Sequence, residues 1–411
     1  MSHSSRDQTI NLGAGPCTLP TSVLEIASQG LLNYDGTGMG LIELSHRSKT
    51  FQNLNLDTQN DLRSLLGVPE NFEILFMQGG GLLQFSCAVM NLLNRFRLDR
   101  RTKPEDVVRA DYLITGSWSA KAAAEATRLG CLVNVVADSR HFSSDSKSFT
   151  SIPDPKSWKL SHADQPSSAP AFLFYCDNET VNGVEMASPG FPISSLPQFY
   201  QDVPLVADMS SNILSRKIPY DLWKRLGIVF AGAQKNMGPS GLTIAIVRQD
   251  LIIDLDQALP YGGLRVPAML SYKNMAEHQS LYNTPPMFSI YVSGLVFKDL
   301  LKKGGIEQIE QINYAKAKIL YQVIDGSQGF YVNNIQSSAR SRMNVVFRCQ
   351  GGVSVEEKFI AEAEKIGIKQ VKGHRSVGGI RASLYNAVTL ENVNSLCKFM
   401  LEFKASNGSN L

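Results

Sequence analysis

The chain has 411 residues, 43% apolar and 19% charged, with a formal net charge of +3. That length exceeds one ordinary core and calls for two or three domains, in a composition typical of soluble globular proteins. The near-balanced charge excludes the broad basic field of nucleic-acid binders, so phosphate recognition has to be local, and no apolar run reaches the roughly 18 residues of a membrane span.

The opening MSHSSRDQTINLGAGP lacks a basic segment followed by an apolar one, so no secretory signal is expected. In chain order, FEILFM (72–77) is an apolar run of strand length, followed by three glycines and an apolar helical stretch from Leu82 to about Asn94. DYLITG (111–116) predicts a second strand, and SAKAAAEATRLG a helix ending at Gly130. LVNVVA (132–137), AFLFYC (171–176), VPLVADM (203–209), IVFAGA (228–233) and LTIAIV (242–247) continue the strand series. Near-continuous apolar runs separated by helices predict a parallel sheet covered on both faces. The stretch 138–170, rich in Ser, Asp and Pro, interrupts this rhythm and reads as a surface excursion.

A helix is expected from about Ser289 to Lys303, stopped by Gly304-Gly305. Helices near 306–324 and 354–366 follow, with strands over GFYVN (329–333) and MNVVFRC (343–349). This is a second, α+β unit. The large domain is placed over 17–300, and the small domain over 1–16 and 301–411. The polar tail ASNGSNL is expected to fray. Six cysteines, scattered without a CxxC pair or a histidine cluster, read as reduced thiols of a cytoplasmic protein and not as a metal site.

AGAQKNMGPSG (231–241) ends a strand in small residues, presents Lys235, and turns through Gly238, Pro239 and Gly241. Ligands of open α/β sheets sit where loops leave strand ends. A lysine held there could form a Schiff base with a carbonyl cofactor; an ordinary loop lysine is the alternative. Asp208 stands at a strand end, 27 residues before Lys235. Pyridoxal chemistry needs an anion beside the pyridine nitrogen, although Asp also suits a helix N-cap.

QGGGLLQF (78–85), with Gly80, Gly81 and Leu82, joins strand to helix. Glycines admit a ligand and free amides at a helix start favour phosphate, though the segment is neither GxGxxG nor a P-loop. Trp118 leaves the DYLITG strand and could stack on a flat ring or lie in the core. Thr180, in CDNETVNG, could donate to a cofactor's phenolic oxygen, beside a natural turn at Asn182-Gly183. Arg47 in LSHRSKTF (44–51), and Arg375 and Arg381 in KGHRSVGGIRASLYNA (372–387), are candidate carboxylate or phosphate clamps. His46 and His374 stand beside two of them.

Together AGAQKNMGPSGLTI, VADMSSNILSRKI, QGGGLLQFS, TGSWSAKAAAEA, CDNETVNGVEM, SLYNTPPMFSIYVSGLVFK, SRMNVVF and GHRSVGGIRASLYNA resemble the phosphoserine aminotransferase family. They stand in the family's order, from NLGAGP (11–16) to about residue 400. The resemblance implies an α/β, fold-type I pyridoxal-phosphate (PLP) transferase. Its large domain holds a mostly parallel seven-stranded sheet sandwiched by helices, and a smaller α+β domain follows. It further implies a cytoplasmic homodimer with shared active sites, acting on glutamate and 3-phosphohydroxypyruvate, with no nucleic-acid or membrane partner.

By the same resemblance, Lys235 is the imine lysine, Asp208 the pyridine-nitrogen partner and Trp118 the stacking ring. Thr180 and Gln234 are further cofactor contacts, with Gly80, Gly81 and Leu82 as the phosphate cradle. Asn283 and Thr284 reach the cofactor phosphate from the neighbouring subunit. His46, Arg47, His374, Arg375 and Arg381 bind substrate anions, Arg381 being placed at the α-carboxylate and the others offered for the distal group. One departure is Leu82, where some members carry arginine; any phosphate contact there falls to the backbone amide. Related alternatives are an alanine–glyoxylate aminotransferase or a cysteine desulfurase. The second needs a mobile catalytic cysteine, and Cys176 lies close to Thr180.

Overall fold

The computed structural model describes residues 4–162, 168–186 and 190–408. Helices α1 (Thr21–Leu32) and α2 (Lys49–Leu66) precede strand β1 (Phe72–Met77). Then come α3 (Gly80–Arg100), β2 (Arg109–Ile114), α4 (Ser117–Arg128), β3 (Leu132–Asp138), β4 (Pro170–Cys176), β5 (Leu205–Asp208), β6 (Leu226–Gly232) and β7 (Thr243–Arg248). The seven strands form one sheet in the order β1-β7-β6-β5-β4-β2-β3. All pairs among β2 to β6 are parallel, whereas β7 runs antiparallel to both β1 and β6. The sheet is thus mostly parallel, as the resemblance implies, with β7 the exception. The link 233–242 between β6 and β7 is shorter than the dozen or so residues a parallel crossover needs, so the chain returns antiparallel.

The near-continuous apolar runs reflect burial on both faces. Leu173 and Tyr175 of β4 join a cluster with Phe51 and Leu62 of α2 and with Ile290 and Phe297 of α5 (Met287–Lys302). Phe172 and Phe174 point the other way, against Phe85 and Leu92 of α3 and Ala122 of α4. Helix α3 starts at Gly80 and runs on to Arg100, well past Asn94. Its inward polar residues disguise that continuation. Asn91 donates to the Leu270 carbonyl at 2.7 Å and Asn94 to the Leu264 carbonyl at 2.8 Å.

The stretch 138–170 is more than a surface excursion. Ser139, Ser151 and Ser161 are buried, and Ser139 Oγ donates to the Ser151 carbonyl at 2.6 Å. Ser161 is fastened to buried Asp111, its amide at 2.9 Å from Oδ2. Trp158 packs on Phe191 with centroids 5.5 Å apart. Serines carry no apolar signal, so this packing is invisible in composition. Residues 163–167 lie outside the described ones.

A third cluster joins Leu320 of α6 (Gly305–Asp325), Tyr331 of β8 (Tyr331–Val332), Phe347 of β9 (Asn344–Cys349), Phe359 of α7 (Val353–Lys365), Ile380 of β10 (Ile380–Ser383) and Leu396 of α8 (Leu390–Asn407). Leu12 belongs to it, and Ile10–Asn11 pairs in parallel with Ile368–Lys369. Ile306 and Ile309, at the start of α6, instead join the core of the large sheet. In the segment GGIRAS, residues Ile380–Ser383 form strand β10, with Arg381 opposite Val346 of β9. Helix α8 carries the tail to Asn407, so fraying is not seen before that point; 409–411 lie outside the described residues. Among the described residues no helix is long and apolar enough to cross a membrane.

Candidate active site

The carboxyl ends of β1, β2, β4, β5 and β6 face one way, and the loops leaving them enclose a cavity of about 320 Å³. Of the residues singled out from the sequence, ten line it: Gly80, Gly81, Leu82, Trp118, Thr180, Asp208, Gln234, Lys235, His374 and Arg381. Five do not: His46, Arg47, Asn283, Thr284 and Arg375.

Lys235 emerges just past β6, and its Nζ donates to Thr180 Oγ1 at 2.7 Å. Burial pushes its amine below the ordinary lysine range, with Asp208 pulling the other way. Asp208 ends β5 and is 5% exposed. Burial pushes its carboxyl above the usual range, opposed by the Ser210 hydrogen bond and by Lys235. Each member of this pair is thus drawn to neutrality by desolvation and to charge by the other. Oδ1 accepts the Ser210 amide at 2.9 Å.

The turn from β1 into α3 passes through Gly79 and Gly80 at φ of 90° and 68°, left-handed values that favour glycine. The Gly80 amide donates to Thr243 Oγ1 at 2.8 Å. The next amides, of Gly81 and Leu82, are in the first helical turn and have no carbonyl of their own helix to bond. They leave two free donors in the cavity wall beside Asp208. The Leu82 side chain is 58% exposed and offers no donor.

Trp118 stands in the first turn of α4, with Lys235 Nζ 6.0 Å from its ring centroid. Its orientation depends on a residue that the sequence reading missed. Buried Glu179 accepts the Trp118 amide at 2.8 Å through Oε2, and the Ser119 amide at 2.9 Å through Oε1. Asn182 Oδ1 accepts the Ser117 amide at 2.8 Å. The loop after β4 therefore supplies the N-terminal cap that α4, starting after Gly116, lacks. A Cβ on Gly116 would lie 2.3 Å from Glu179. The available signal was the acid beside Thr180, but a cap from 60 residues away has no sequence spacing to announce it.

Arg381 reaches the cavity from β10 and donates to the Thr180 carbonyl at 3.2 Å. His374 is held by Ser376, Nδ1 to Oγ at 2.7 Å. Its pKa is lowered by burial and by the cations Arg381, Lys121 and Arg375. Asn178 and Ser211, also missed, line the cavity wall and bond each other at 2.7 Å.

The five remaining residues lie elsewhere. Thr284 Oγ1 and His46 Nδ1 are 3.2 Å apart, and Asn283 donates to Gln78 Oε1 at 2.9 Å. Arg47 and Arg375 are exposed. The resemblance already sets Asn283 and Thr284 apart as residues of a neighbouring site; for His46, Arg47 and Arg375 the sequence offers residue type but no direction.

The sequence profile of aminotransferase class-V matches residues 9–396. A phosphoserine aminotransferase of Drosophila melanogaster is 44% identical over 402 residues, covering 97% of this chain and 99% of the fly protein. The chain belongs to the phosphoserine aminotransferase family. Among solved phosphoserine aminotransferases, that of Bacillus circulans subsp. alkalophilus superposes with a TM-score of 0.84 at 37% identity, covering 97% of this chain and 99% of its own. A phosphoserine aminotransferase of Trichomonas vaginalis, described as PLP-bound, gives 0.80 at 36% identity, covering 96% of this chain and 99% of its own. The likeness extends over nearly the full length of the chain.

Proposed function

We propose that the protein is a cytoplasmic PLP-dependent phosphoserine aminotransferase. It moves an amino group between L-glutamate and 3-phosphohydroxypyruvate, giving 2-oxoglutarate and O-phospho-L-serine in L-serine biosynthesis. The observation that carries this reading is the joint placement of Lys235, Asp208 and Arg381 around one cavity, beside a glycine cradle. The donor set fits PLP: an amine for its carbonyl, a carboxylate for its ring nitrogen, helix-start amides for its phosphate and an indole for its ring face. Trp118 Nε1 is also buried with no partner among the described residues.

Bound there, PLP supplies the electron sink that transamination needs. The protein does the rest. Lys235 holds the cofactor, and its amine then takes the proton from the α-carbon of the amino acid. Burial suits it to that task, since a lysine below its ordinary range is more often neutral. Asp208 holds a proton at the ring nitrogen, Trp118 and Thr180 orient the ring, and Gln234 adds a further contact. The Gly81 and Leu82 amides, behind Gly80, take the phosphate.

Arg381 binds the α-carboxylate common to both substrates. His46, Arg47, His374 and Arg375 serve the distal group, a carboxylate in one substrate and a phosphate in the other. Asn283, Thr284, His46 and Arg47 do not line the cavity of their own chain. A homodimer in which they serve the neighbouring site is therefore part of the reading. So is the division into a large domain over 17–300 and a small one over 1–16 and 301–411. A cysteine desulfurase is disfavoured because Cys176, though in the cavity wall, is buried and its thiol is pushed well above the ordinary range by desolvation.

The test is substrate choice. kcat/KM for 3-phosphohydroxypyruvate should exceed that for hydroxypyruvate by on the order of 10³ or more, because cations built for a phosphate are left unpaired by the smaller acid. Equal values would overturn the assignment.

A further inference from the structure

Lys316 lies outside the cavity and carries a fully buried ammonium. It stands on α6 and is 0% exposed. Among the described residues no ion pair accompanies it. Its Nζ instead donates to three carbonyl oxygens of one short turn: Leu384 at 2.9 Å, Tyr385 at 3.0 Å and Val388 at 2.9 Å. Burial pushes its pKa down to about 7, while three carbonyl acceptors favour the charged form. A buried cation without a carboxylate is costly to keep. A methionine would fill similar volume without that cost, so the three donors point to a requirement on the turn itself.

The turn follows directly on β10, the strand that bears Arg381. It is joined to the cavity at three further points. The Asn386 amide donates to Oδ1 of Asn236, the neighbour of Lys235, at 3.0 Å. The Tyr385 hydroxyl donates to the carbonyl of Ala14, a cavity residue, at 3.0 Å. Asn344 donates to the Tyr385 hydroxyl at 3.1 Å and to Ser383 Oγ at 3.0 Å, and accepts from the cavity residue Asn178 at 2.8 Å. The cofactor-facing groups Asp208, Trp118 and the glycine cradle hang on the large sheet instead. Of the cavity residues, Arg381 is the one whose own strand leads directly into the 384–388 turn.

We infer that Lys316 is a positioning residue for substrate binding: its buried ammonium clamps the 384–388 turn and so holds Arg381 at the place where the α-carboxylate of either substrate docks. This rests on the assignment of Arg381 made above. Because glutamate and the phosphorylated keto acid share only the α-carboxylate end, loosening the clamp weakens both by one common factor.

The experiment compares holoenzymes carrying Lys316→Met, Tyr385→Phe and Arg381→Ala with the wild type. Lys316→Met is expected to raise KM for both substrates together by about tenfold or more, as a misplacement remote from the chemistry does, with kcat changed by less than about threefold. The visible absorbance of the bound cofactor should be unchanged, and amide hydrogen exchange should quicken over 380–388. Tyr385→Phe, which loosens the same turn while keeping the ring packed, should show the same pattern to a smaller degree, and it carries the test if Lys316→Met does not fold. Faster exchange with both KM values unchanged, a KM change for one substrate only, or loss of cofactor absorbance would overturn the inference. Arg381→Ala separates the two claims. If it raises both KM values and the clamp variants do not, the clamp is wrong; if it raises neither, the assignment of Arg381 fails and the clamp falls with it.

Discussion

The cavity around Lys235 and the cluster of His46, Thr284 and Asn283 are built from the same kinds of residue, yet they are finished to different degrees. In the cavity, Lys235 has Thr180, Asp208 has the Ser210 amide, and the amides beside Trp118 have Glu179. In the second region, His46 Nε2, Asn283 Oδ1 and Gln78 Nε2 are buried with no partner among the described residues, and Arg47 is exposed. Buried polar atoms are ordinarily satisfied. The difference is one of degree, since Trp118 Nε1 and Asn178 Oδ1 in the cavity wall are open as well; on the proposed function, the second region serves the site of a neighbouring subunit.

The largest effect should come from removing the centre of the finished region. Lys235→Ala is expected to lower kcat for glutamate by at least about 10³, as loss of a positioned acid–base group does. Steady-state assays would show it, and near-normal turnover would end the assignment.

The contrast itself can be broken by mixing subunits. Lys235→Ala and Arg47→Ala proteins, each nearly inactive, should recover about a quarter of wild-type activity when unfolded and refolded together. Half of the dimers would be mixed, and one site in each would combine an intact Lys235 with an intact Arg47. No recovery would mean that the second region serves its own chain.

Gly116→Ala probes the fixed setting of Trp118. Its new Cβ would meet the Glu179 carboxylate at 2.3 Å. Overpacking of this kind costs about 1–3 kcal/mol. Thermal unfolding should shift down accordingly, with weaker cofactor retention; an unchanged Tm would show that the cap yields easily.

The smallest effect concerns charge in the cavity. Burial raises the Asp208 pKa in the folded state above its unfolded value. The folded state therefore binds this proton more tightly, and the stability that the protonated carboxyl contributes is lost as pH rises through the raised value. Cofactor-free Asp208→Asn should consequently melt higher than cofactor-free wild type at neutral pH. The gap should close as pH falls toward the ordinary carboxylate range. A gap that is flat with pH would show that Asp208 is not held in this way.

The comparison also shows how far the sequence reaches. Burial on both faces of the sheet forces near-continuous apolar runs, so seven strands were visible as composition, and Lys235 and Asp208 were visible because they end two of those runs. The serines of 138–170 pack by hydrogen bonds and left no apolar trace. Arg375 and Arg381 were indistinguishable as residues of one glycine-rich segment; only the pairing of β10 with β9 turns one toward the cavity and leaves the other exposed. By itself the sequence determined the sheet, the lysine–aspartate pair and the family, because these follow from local periodicity and from motifs contiguous in the chain. The tertiary structure alone decided the antiparallel return of β7, the Glu179 cap, the separation of His46 and Arg47 from the cavity, and the Lys316 clamp. Each of these is settled by which distant groups meet, and a hydrogen bond between residues far apart in the chain has no characteristic spacing to read.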